Sequence, residues 1–107
     1  MGMKAKVILA RTLVLGNDGR YEVDIKVFAV PKSDKFPLGI KARFVLLDTY
    51  EEIARLLVDN HEPYGFHIHA KLPMEPDYRE RLETSDHEEA LQKFLREAER
   101  LVRNEEK

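Results

Sequence analysis

The sequence predicts one α+β domain over residues 1–107: an antiparallel sheet of about four to five strands, one face covered by a C-terminal amphipathic helix. Three observations lead there. Several segments alternate apolar and polar residues with a period of two, the pattern of a sheet that is wet on one side. Clusters of Gly, Asn, Asp and Pro separate these segments. The last segment changes to helical spacing, and a helix with one apolar stripe needs a surface such as that sheet to cover. A chain of 107 residues has room for one core and no more.

The first strand spans about Lys4–Leu15 and is strongly apolar. Gly16-Asn17-Asp18-Gly19 then signals a hairpin, because these residues tolerate the positive φ of tight turns. In the second strand, about Tyr21–Val30, Tyr21, Val23, Ile25, Val27 and Ala29 face one way, and Glu22, Asp24 and Lys26 the other. Pro31–Leu38 connects to a third strand, about Gly39–Asp48, with Ile40, Ala42, Phe44 and Leu46 on one face and Lys41 and Arg43 opposite. Thr49–Asn60 carries two signals. Thr49-Tyr50-Glu51-Glu52 fits a capping box and favours helix, while Arg55–Asn60 also reads as a strand before a turn. Phe66–Leu72 alternates again, with His67, His69 and Lys71 on its polar side. Pro73–Thr84 reads as a loop or short helical turn. In the final helix Ser85 is the expected N-cap, and Ala90, Leu91, Phe94, Leu95, Ala98, Leu101 and Val102 form the stripe.

The 18 basic and 20 acidic residues nearly balance, and a net charge of −2 argues against a bulk nucleic-acid footprint. The distribution is uneven. Over residues 1–47 Lys and Arg outnumber the acids, whereas residues 72–107 are rich in Glu. A single Gln beside abundant Glu, Lys and Arg is the bias of proteins from hot environments. With no cysteine there is neither a disulfide nor a thiolate site. No apolar run is long enough for a membrane span, and the N-terminal residues lack the pattern of a secretory signal, so the expected location is the cytoplasm.

Three of the four histidines lie between residues 61 and 69. Pro63 and Gly65 mark a turn that lets His61 fold back toward the strand carrying His67 and His69. Residues i and i+2 of a strand share a face, so His67 and His69 are neighbours beside the cations Lys41, Arg43 and Lys71. Two imidazoles can divide general acid and general base work, since histidine titrates near neutrality. With His61, Asp59 or Glu62 they could instead chelate a metal, although no known ligand spacing is complete. The plain alternative is a tolerated polar strand face, with the Lys/Arg cluster a solvated surface, Asp59-Asn60 a turn former and Tyr64 a packing residue. No phosphate loop, activated Ser or Cys, or cofactor motif accompanies them.

The order of features, with Lys4-Ala5-Lys6-Val7-Ile8, Gly39-Ile40-Lys41-Ala42-Arg43-Phe44, Leu57-Val58-Asp59-Asn60-His61, Phe66-His67-Ile68-His69 and a final helix containing Phe94, resembles the TumE-type toxin components of toxin–antitoxin pairs. The resemblance spans nearly the whole chain and is sharpest at Asp59-Asn60-His61 and His67-x-His69. It implies that Arg55–Asn60 is a strand, that an antitoxin protein is the partner, and that a growth-inhibiting activity acts on RNA. The expected function is therefore a toxin-like protein cleaving RNA without metal or other cofactor. His67 and His69 act as acid and base; Arg43, Lys71, Lys41 and Tyr64 hold the substrate; Asp59, Asn60 and His61 support them. The rival readings are a non-catalytic domain whose basic face binds an acidic protein, and a metal site at His61, His67 and His69.

Overall fold

The computed structural model describes residues 5–106. Six strands form one antiparallel meander, each paired with the next: β1 (Lys6–Leu15), β2 (Tyr21–Ala29), β3 (Ile40–Asp48), β4 (Ile53–Asp59), β5 (His67–His69) and β6 (Glu80–Arg81). Among the described residues a single helix, α1 (His87–Glu105), follows. The α+β class is as the sequence implies, with the strand count raised by the two-residue β6, which lies within the expected Pro73–Thr84 loop. No helix among the described residues is long and apolar enough to cross a membrane.

Register determines what faces what. Ile25, Phe44, Val58 and Ile68 stand side by side across β2 to β5, and with Val23, Val27, Leu46 and Leu56 they make the floor of the core. Ala90, Phe94, Ala98 and Val102 of α1 come down on that floor, and the Phe44 and Phe94 rings meet at 5.7 Å. Each of the Val, Leu, Ile and Phe side chains contributes about 1.5–3 kcal/mol by burial.

The hairpin from β1 to β2 closes where predicted, with Gly16 and Gly19 both at positive φ and Gly19 N–H donating to the Gly16 carbonyl. The Asn17 amide also donates to the Glu106 carboxylate, which ties this turn to the end of α1. Asp48 organises the turn after β3. Its carboxylate accepts from the Tyr50 and Glu51 amides and takes a bidentate pair from Arg20 at 2.8 and 2.7 Å. That turn replaces the helix start allowed at Thr49–Glu52, and β4 follows it. The helix cap also moves by one residue. Asp86, rather than Ser85, accepts from the Glu88 amide, because Asp86 is itself held by a hydrogen bond to the Thr84 hydroxyl. The Phe66–Leu72 strand is shorter than expected, since the chain turns at Lys71, whose carbonyl accepts from the Glu75 amide.

Candidate functional site: a row of imidazoles

The open face of the sheet carries the row Arg43, Asp59, His67, Arg81 across β3 to β6, with Leu57 and His69 alongside. The segment between β4 and β5 folds over this face. The Glu62 amide donates to the Lys35 carbonyl, and the Tyr64 amide donates to the His61 carbonyl, which turns the chain back above β5. His61, Tyr64, His67 and His69 then form one aromatic cluster. His67 lies at its centre, 5.1 Å from His61, 5.1 Å from His69 and 5.5 Å from Tyr64, all edge to face.

This packing corrects one expectation. His67 is on the polar side of its strand but is 0% exposed, because the Pro63–Gly65 turn lays His61 and Tyr64 across it. Alternation places a side chain on a face, but it does not reveal that a loop covers that face. His61 and His69 are half-buried.

Each imidazole is held at the same atom. His67 Nδ1 donates to the Gly65 carbonyl at 2.8 Å, and His69 Nδ1 donates to the Pro76 carbonyl at 3.0 Å. His61 Nδ1 lies 3.2 Å from the Asp59 carboxylate. A carbonyl accepts only, so Nδ1 of His67 and of His69 carries the proton, and in the neutral ring Nε2 keeps its lone pair. The Nε2 of His67 is buried without a partner among the described residues. Such an orphan costs about 1–3 kcal/mol. Burial pushes the His67 imidazole below its ordinary range; the Gly65 carbonyl partly opposes this, and His69 adds to it. His67 is therefore held neutral.

The other expected residues divide. Tyr64 and Asp59 join the cluster. Arg43 stands beside Asp59 and is exposed. Asn60 is architectural: its side chain accepts from the Ala42 amide and donates to the Ile40 carbonyl, extending the ladder past the end of β4. Lys41 is an exposed residue of β3, two positions beyond the last β3–β4 pair. Lys71 is engaged elsewhere, 4.2 Å over the Tyr78 ring and 3.9 Å from Glu75. Two cations were not foreseen. Arg79 lies 4.1 Å over the Tyr64 ring, and Arg81 is the register partner of His67. Arg79 lies in the loop before β6 and Arg81 in a strand of two residues, so neither has a periodicity to read in the sequence. Among the described residues no group of three or more His, Asp or Glu is arranged to hold a metal ion.

No family model, curated protein or solved structure matches this chain.

Proposed function

We propose that this chain is a toxin-like protein that acts on RNA, as the toxin component of a toxin–antitoxin pair, by metal-independent cleavage at the imidazole row. The observation that carries this reading is the shared orientation of three imidazoles: each has Nδ1 beside an oxygen, so that Nε2 is the nitrogen left for chemistry. Cleavage of RNA by its own 2′-hydroxyl needs one group to take the proton from that hydroxyl and another to protonate the departing 5′-oxygen. The half-buried rings, His61 and His69, are the groups placed to exchange protons with a substrate, and the Asp59 carboxylate steadies His61. Buried, neutral His67 is a positioning residue that spaces them. Attack of the 2′-oxygen on phosphorus and loss of the 5′-oxygen leave a 2′,3′-cyclic phosphate and a 5′-hydroxyl. Arg43, Arg79 and Arg81 stand around the row, where their charge stabilises the phosphorane oxygens. Tyr64, partly exposed, offers a face on which a base stacks.

The test is cleavage of single-stranded RNA by the purified protein in the presence of a chelator, beside growth arrest on expression. Cleavage that survives chelation and is lost in His69→Ala supports the reading. Activity abolished by chelator and restored by one divalent metal replaces it with metal chemistry. A second reading, a domain that binds a protein partner, is favoured by a separate feature of the fold, the exposed apolar edge of β1.

A further inference from the structure

β1 ends the sheet, and among the described residues no strand pairs with its free edge. It is exposed at every position but Leu9 and Leu15. Val7, Ile8, Leu13 and Val14 are 62%, 47%, 37% and 63% exposed. An apolar edge of ten residues is a template for pairing with another chain. This one is guarded by an irregularity between Val7 and Leu9 and by two cations, Lys6 and Arg11. Among the described residues neither cation has an ion-pair partner.

The register sorts the strand. Leu9, Arg11, Leu13 and Leu15 lie on the helix side, opposite Val27, Ile25, Val23 and Tyr21. Ala10, Thr12 and Val14 lie on the open side, opposite Lys26, Asp24 and Glu22. Two copies pairing antiparallel about a two-fold axis keep each side chain on its own face. The register that matches apolar to apolar sets Leu9 against Leu13 of the second copy, and it brings Arg11 against Arg11 at the axis. Like charges directly opposite destabilise a sheet. The edge thus rejects a second copy in its best register, and the same register becomes favourable when the incoming strand carries a carboxylate opposite Arg11.

We propose that β1 is a docking edge for an extended segment of a partner protein, which joins as a seventh strand. It sets an Asp or Glu against Arg11 and places apolar residues two positions to either side of it. This surface is separate from the imidazole row and does not depend on RNA cleavage.

Two synthetic peptides probe it, one copying Lys6–Leu15 and one the same segment with R11E. The R11E peptide binds the intact protein several-fold more tightly, and V14K in the protein weakens that binding. The protein variant R11E reverses the preference and selects the unsubstituted peptide. The protein alone sediments as a monomer at micromolar concentration. Equal binding of the two peptides, binding of neither, or a wild-type dimer built on β1 overturns the proposal. Melting temperatures of V14K and R11E within a few degrees of wild type separate lost docking from lost folding.

Discussion

Truncating His67 tests whether the imidazole row is a packed structure or a solvated face. His67 is 0% exposed and touches three other rings, so His67→Ala opens a cavity among His61, Tyr64 and His69. Removing a buried side chain of this size costs about 2–4 kcal/mol. Losing the hydrogen bond to the Gly65 carbonyl adds about 1 kcal/mol, and removing the unpartnered Nε2 returns about 1–2 kcal/mol. The net loss is about 2–3 kcal/mol, which for a chain of this length lowers Tm by about 10 °C. His67→Phe leaves no cavity and removes the unpartnered Nε2, so it costs less than His67→Ala. Its pH dependence separates the two states of the ring. The folded protein holds His67 neutral below the ordinary histidine range, so near pH 6 the unfolded chain binds the proton more readily than the folded one. Stability contributed by the neutral ring is full above the unfolded pKa, near 6.5, and is lost as pH falls below it. Urea denaturation followed by far-ultraviolet circular dichroism, at pH 7.5 and pH 5.5, measures all of this. Wild type loses stability toward pH 5.5, and His67→Phe loses less. A change under about 1 kcal/mol for His67→Ala, with identical pH dependence in His67→Phe, would refute the packed row.

Three further outcomes follow from the same geometry. Phe94→Ala removes the helix residue that meets Phe44 and costs about 3–5 kcal/mol in the same denaturation assay, whereas a loss under about 1 kcal/mol would mean that the stripe does not seat the helix. Asp48→Ala breaks the bidentate Arg20 pair and strips the Tyr50 and Glu51 amides of their acceptor, costing about 2–3 kcal/mol; because Arg20 holds the Asp48 carboxyl below its usual range, this contribution is present at neutral pH and lost only as pH falls through the acidic carboxylate range, unlike that of His67. If RNA lies across the open face, its affinity falls steeply with salt and Arg43→Ala flattens the slope by about one unit, while Lys71→Ala, already paired with Glu75, flattens it by less.

The parts of the fold that were legible in the sequence are those where a local rule acts alone. Alternation in Tyr21–Ala29 and Ile40–Asp48 gives the faces correctly, because both strands lie inside the sheet with one side wet. Gly16-Asn17-Asp18-Gly19 closes the hairpin, because its two glycines take positive φ without strain. The Ala90/Phe94/Ala98/Val102 stripe places the helix. Residues 49–60 carry two local signals, and the choice between them is made by tertiary partners: Arg20, just before β2, engages Asp48 and favours a turn over a helix cap. The candidate site is half legible for the same reason. The spacing of His67 and His69 shows that they are neighbours. The burial of His67 depends on Lys35 holding the Glu62 amide, and the anchoring of His69 depends on Pro76. Pro63 and Gly65 mark the turn that folds His61 back, but the carbonyls that fix it are present at every residue and leave no mark in a sequence.

The central claim is that the imidazole row works as an acid–base pair on RNA, and a pH–rate profile of single-stranded RNA cleavage, taken in chelator at fixed ionic strength, tests it most directly. The account predicts a bell-shaped profile, a 2′,3′-cyclic phosphate at the new end, and losses of about 10²–10⁴ in rate for His61→Ala and for His69→Ala with folding intact. The double variant loses much less than the product of the two. A folded protein that cleaves no RNA at any pH, or a rate unchanged by either substitution, would contradict it.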